Sequence, residues 1–156
     1  MIDAGGPAPE LSLPDHTGQT VALADQRGRW VVLWWFPKAM TNGCTREGQA
    51  FRDLAGEFAA LGATILGISF DTVEDNRAFA EANGFTYPLL SDVDRRVGRA
   101  YGVERRPDDE KPDYPWRATF LIDPEGRVRK AYRVTDAASH PAQVLEDLRA
   151  LAAAAG

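Results

Sequence analysis

The chain has 156 residues, with 18 Lys plus Arg against 23 Asp plus Glu, a formal net charge of −5. That length suits a single domain, since one core typically serves about 100–200 residues, and the acidic balance disfavours nucleic acid, which demands a clustered positive surface. One cysteine excludes an intramolecular disulfide and a cysteine-based zinc site, two histidines argue against a His-rich metal site, and no stretch approaches the roughly 20 apolar residues of a membrane helix.

The opening MIDAGGPAPE lacks the basic and apolar regions of a signal peptide, so a cytoplasmic location is expected, where a free thiol is compatible with the reducing environment. Residues 8–23 hold two short runs around Asp15-His16-Thr17-Gly18, which reads as a hairpin turn. The apolar run from Trp30 to Phe36, closed by Pro37, predicts a strand buried on both faces. Phe51, Leu54, Phe58 and Leu61 recur at helical spacing over 44–61, and Gly62 suits the helix end. Residues 63–70 predict a second buried strand, and Asp71-Thr72 can cap a helix running to Asn83-Gly84.

A short strand at 87–90 and a short helix at 93–101 follow. The charged, proline-broken stretch 104–113 is a loop. Residues 116–122 and 127–133 flank the turn Asp123-Pro124-Glu125-Gly126, and 141–154 is a terminal helix. Alternating strands and helices in the first half imply parallel strands with right-handed crossovers, while the late hairpin adds an antiparallel pair. One α/β domain over 1–156, with a mixed central sheet flanked by helices and an N-terminal hairpin, is the expected organisation.

Chemistry concentrates in Phe36-Pro37-Lys38-Ala39-Met40-Thr41-Asn42-Gly43-Cys44-Thr45. A buried strand ends, a loop counted from Pro37 to Gly43 follows, and the only cysteine sits where the helix begins. Free N–H groups and the dipole at a helix start favour an anion, hence the nucleophilic thiolate. Thr41 can serve as N-cap or aim its hydroxyl at the sulfur, and Asn42-Gly43 allows a tight turn with backbone close to a ligand. A lone cysteine also reads as a small buried hydrophobe. On their own, Arg117 reads as an ordinary surface ion-pair residue and Glu47 as a first-turn acid favoured by the dipole.

Pro37, Thr41 and Cys44 form a PxxxTxxC pattern that resembles the peroxiredoxin active site. FPKAMTNGCTREGQAFRDL, GISFDTVEDNRAFAEANGFTYPLLSD and RATFLIDPEGRV extend the resemblance, in order, to the bacterioferritin-comigratory or PrxQ branch from about residue 7 onward. The resemblance implies a thioredoxin-like fold and a thiol-dependent peroxidase acting on hydrogen peroxide or organic hydroperoxides, with no metal or organic cofactor. It assigns Cys44 as the peroxidatic cysteine, Thr41 as the threonine contacting peroxide, and Pro37 as the shield of the thiolate. Arg117 becomes the arginine stabilising thiolate and peroxide, and Glu47 the acid that helps orient it. Gly43 is a supporting position on its own account, through the tight turn it allows beside a ligand.

Many members of that branch carry a second cysteine five residues after the first; Gln49 stands there instead. The resemblance therefore implies a one-cysteine variant whose sulfenic acid is resolved by an external thiol, a thioredoxin, a glutaredoxin or a small thiol. A monomer or weak homodimer is expected. A peroxide sensor that relays oxidation to a partner, or a non-catalytic thioredoxin-fold binding module, are the competing readings. His16 and His140 are expected at surface turns, and Asp92 and Asp94 as caps of the following short helix. Trp34 and Trp35, in place of the family's common Tyr or Phe, are expected to pack core and pocket wall on opposite faces of their strand.

Overall fold

A computed structural model of the chain describes residues 1–155. The N-terminal hairpin pairs β1 (Ser12–Pro14) with β2 (Thr20–Ala22), and one 3₁₀ turn (Leu23–Gln26) follows. The paired region is shorter than 8–23 because Asp15 holds a wide turn. Its Oδ1 accepts from Thr17 N, Gln19 N and the Thr17 hydroxyl. Then come β3 (Trp30–Trp35), α1 (Asn42–Ala60), β4 (Ala63–Ser69), α2 (Val73–Asn83) and β5 (Leu89–Ser91). The chain closes with α3 (Arg96–Tyr101), β6 (Ala118–Ile122), β7 (Val128–Arg133) and α4 (His140–Ala155).

The five main strands lie in the order β5-β4-β3-β6-β7. β3, β4 and β5 run parallel, whereas β6 and β7 are antiparallel to their neighbours. This is the mixed sheet expected from the alternating first half and the late hairpin. All six residues of β3 are buried, because both faces are covered. Trp30, Val32 and Trp34 face the core shared with Phe51 and Phe58 of α1, Phe79 of α2 and Leu148 of α4. Val31, Leu33 and Trp35 face the second core, with Leu23, Tyr101 and Phe120. Among the described residues no helix is long and apolar enough to cross a membrane.

Several element limits move for identifiable reasons. α1 starts at Asn42 rather than at Cys44, so Cys44 is its third residue. α3 starts at Arg96 rather than 93, because Arg95 adopts a left-handed backbone with φ 63°, and the Asp92 carboxylate accepts from Val97 N and Gly98 N. Asp92 and Asp94 thus serve the α3 start as expected, Asp94 accepting from Arg96 N. Thr72 caps α2 through Asp75 N. β5 starts at Leu89 rather than 87; Pro88 lacks an N–H, and the Tyr87 hydroxyl turns inward to donate to Gly48 O at 2.7 Å. β6 starts at Ala118, leaving Trp116 and Arg117 just ahead of the strand.

Candidate active site

The topology gathers one end of the sheet. Parallel pairing places the β4 terminus beside that of β3, with Trp35 opposite Ile68. Antiparallel β6 brings its beginning to the same place, with Trp35 opposite Ala118. In turn Ala118 pairs with Arg133 at the end of β7. The carboxyl ends of strands in open α/β sheets are where ligands bind. Pro37, Asp71, Arg117 and Arg133 therefore converge from four separate segments.

The loop after β3 is fixed from β4. Ala39 N donates to Asp71 Oδ2 at 2.9 Å, the Ser69 hydroxyl donates to the same oxygen at 2.8 Å, and Lys38 Nζ lies 2.6 Å from Asp71 Oδ1. Met40 completes the turn with φ 70°, a backbone conformation disfavoured for a residue with a side chain, while that side chain is exposed. The tight turn is thus made at Met40 and not at Asn42-Gly43, which are already helical. Asp71 is a positioning residue that the sequence reading treats only as a helix cap. Its place directly after a buried strand is the signal that could have marked it.

Thr41 occupies the N-cap position of α1 with extended backbone, φ −81° and ψ 156°, but its side chain makes no cap bond. The hydroxyl instead donates to Lys38 O at 2.7 Å. With its proton so engaged, the oxygen presents its lone pairs as acceptors. Thr45 N donates to Thr41 O in the first helical bond, so the N–H groups of Asn42, Gly43 and Cys44 precede the ladder. Cys44 itself is fully buried in the core shared with Trp34 and Phe51.

Arg117 packs against this helix start. A Cβ placed on Gly43 would stand 2.8 Å from Arg117 Nη2. Gly43 is therefore needed for the close approach of the guanidinium rather than for a turn. Arg117 Nη1 donates to Glu47 Oε1 at 2.8 Å. Burial works to lower Arg117, but the charges of Cys44 and Glu47 outweigh it and hold the guanidinium above its ordinary value. Glu47 lies in the second turn of α1, is fully buried, and leaves Oε2 without a partner. Burial pushes its carboxyl up to about 7 against the pull of Arg117.

Two expected outcomes follow from that geometry. Gly43→Ala should slow oxidation of Cys44 by peroxide by about tenfold, since the added methyl displaces the guanidinium; an unchanged second-order rate would show that Arg117 tolerates the shift. For Glu47, the folded state keeps its proton up to about pH 7 and the unfolded state loses it near the ordinary value of 4.5. Between those limits the folded state holds one more proton, so its contribution to stability is complete below 4.5 and lost as pH rises to 7. Denaturation of wild type and Glu47→Gln across that window should show their stability difference drifting by about 1.4 kcal/mol per pH unit at most. A constant difference would contradict the shift.

A groove of about 480 Å³ opens over this region, lined in part by Pro37, Thr41, Gly43, Trp116 and Arg117. Neither Trp34 nor Trp35 lines it: both are core residues on opposite faces of β3, and Trp116 is the indole at the groove. His140 is also not a surface turn residue. It is buried against Phe51 and Tyr132, with Nε2 2.8 Å from the Thr119 hydroxyl, and burial together with Arg117 lowers it to about 4. His16 does sit at the hairpin turn, where Nδ1 accepts from Leu89 N. Gln49 donates to Asn83 Oδ1 and so ties α1 to the end of α2.

The chain belongs to the AhpC/TSA family, whose profile matches residues 4–131. It is 38% identical over 150 residues to Peroxiredoxin Bcp of Bacillus subtilis, covering 95% of this chain and 96% of that protein. Peroxiredoxin Bcp of Escherichia coli is 37% identical over 150 residues, covering 95% of this chain and 96% of that protein. The crystal structure of peroxidoxin BcpB from Mycobacterium tuberculosis superposes with a TM-score of 0.88 at 38% identity, covering 96% of this chain and 98% of that one. The Xanthomonas campestris bacterioferritin comigratory protein, studied structurally for its alkyl peroxide reduction activity, gives 0.85 at 38% identity, covering 91% and 92%. The protein is thus a peroxiredoxin of the Bcp/PrxQ type with a thioredoxin-like fold, an enzyme of the thiol-dependent peroxidase class. Its single cysteine fits the one-cysteine form of that class.

Proposed function

We propose that this chain reduces hydrogen peroxide or organic hydroperoxides at Cys44 and relies on an external thiol to complete each cycle. The observation that carries this reading is the Arg117 guanidinium, seated on Gly43 at the start of α1 and held by the fully buried Glu47. The Cys44 thiolate attacks the terminal peroxide oxygen, the O–O bond breaks, and the departing oxygen leaves as water or an alcohol after taking a proton. Cys44 becomes a sulfenic acid. Charge developing on the departing oxygen meets a preorganised cation and backbone N–H groups in a partly desolvated site.

Thr41 supplies an acceptor for the peroxide O–H, because its own proton is committed to Lys38 O. Pro37, which lines the groove, adds no backbone donor there. An external thiol then attacks the sulfenic sulfur, releasing water and forming a mixed disulfide. A second thiol restores Cys44 and leaves as a disulfide. No second cysteine is present to take the first of these steps. Peroxide consumption with thioredoxin, glutaredoxin and small thiols, compared between wild type and Cys44→Ser, tests the reading. Turnover by the wild type alone supports it, and equal consumption by both proteins would overturn it.

A further inference from the structure

The groove bordered by Pro37, Thr41, Gly43 and Arg117 carries a second set of cations that the proposed peroxide cleavage does not use. Arg105 enters from the loop between α3 and β6, and Arg133 from the end of β7; both line the groove. Their guanidinium carbons stand 4.2 and 3.9 Å from the centroid of the Trp116 ring, so two like charges share one indole. Cation–π attraction accounts for each contact separately, but not for the pairing of two repelling cations. Neither joins a salt bridge among the described residues, whereas Arg117 and Lys38 of the same groove do.

Arg105 donates only to backbone carbonyls, to Glu110 O at 2.8 Å and Pro115 O at 3.3 Å, and its Nε is buried without a partner. Burial, and next the charge of Arg133, pulls Arg105 below its ordinary value. Lys111 adds a further cation to the lining, and Glu110 is the one acid there. This local excess of positive charge stands on a chain whose net charge is −5.

We propose that this groove is an anion subsite, in which Arg105 and Arg133 receive a carboxylate carried by the molecule that reacts at Cys44. The inference rests on the peroxidase reading above. Planar guanidinium groups suit a carboxylate by paired hydrogen bonds. The carboxylate can arrive on the hydroperoxide or on the reducing thiol, since both must reach the same sulfur.

The two half-reactions separate those sources. Oxidation of reduced Cys44 is timed with a fatty-acid hydroperoxide and with its neutral methyl ester. Reduction of the sulfenic acid is timed with 3-mercaptopropionate and with neutral 2-mercaptoethanol. Each anion-to-neutral rate ratio is compared between wild type, Arg133→Gln and Arg105→Gln, which removes effects common to both partners. The ratio should fall by about fivefold to tenfold in the half-reaction whose molecule carries the carboxylate, and should collapse for wild type in about 0.5 M salt. Arg133→Lys should restore only part of it, because an ammonium keeps the charge but not the paired fork, whereas a purely structural stacking role would leave the ratio insensitive to salt. A fall in the oxidation arm assigns the subsite to the hydroperoxide, and a fall in the reduction arm assigns it to the thiol. Ratios unmoved by both substitutions and by salt would overturn the subsite while leaving the peroxidase reading intact. A wild type that reacts with no hydroperoxide, neutral or charged, would overturn both.

Discussion

Arg117→Met is expected to slow the reaction of Cys44 with hydrogen peroxide by roughly 10²–10³-fold, the usual cost of losing a preorganised donor at a site of developing charge. The side chain keeps similar bulk, so the loss is electrostatic. Arg117 is the cation placed against the first turn of α1, and it meets both the Cys44 charge and the Glu47 carboxyl group. Arg117→Lys should recover only part of the rate, because an ammonium cannot present the guanidinium fork to sulfur, oxygen and Glu47 together. Stopped-flow oxidation at fixed pH measures both variants. A Met variant within about threefold of wild type would leave the helix start as the sole source of stabilisation.

Thr41→Val is expected to cost about 10² in the same rate, and Thr41→Ser far less. Val preserves shape but removes the oxygen, and with it the bond to Lys38 O that ties the loop to the helix entry. Ser keeps both. If the loss came from the loop clasp alone, Val would weaken folding as well as reactivity, so melting temperatures are read alongside. Equal rates for Val and Ser would confine Thr41 to packing.

The parts of the site legible in the sequence are those that lie next to one another in it. Pro37, Thr41 and Cys44 follow one apolar run, and the start of a helix there is plain from the spacing of Phe51, Leu54 and Phe58. Arg117 is different. It reaches the cysteine only because β6 runs antiparallel beside β3, a pairing that local pattern does not specify. Without the resemblance it reads as a surface charge. The contact between Gly43 and Arg117 is likewise invisible before the strands are paired, so Gly43 is read as a turn residue when its function is clearance.

His140 shows the opposite failure. Its neighbours Ser139 and Pro141 suggest a turn, but packing of α4 against Phe51 draws the ring inside. Arg105, Trp116 and Arg133 come from a loop, a strand approach and a strand end, and nothing in their local sequence announces that they stack. Tertiary pairing, not propensity, supplies what the sequence reading lacks.

The proposed cycle places its whole oxidative half on one sulfur, and intact-mass spectrometry after one equivalent of hydrogen peroxide reads that out. Cys44 is fully buried and has no second thiol in the chain, so its sulfenic acid should outlast that of a two-cysteine protein. The expected product is a monomer heavier by one oxygen, trapped by dimedone, returned to its starting mass by added thiol, and driven to the sulfinic acid by excess peroxide. A protein whose mass stays unchanged while the peroxide remains in solution would contradict it.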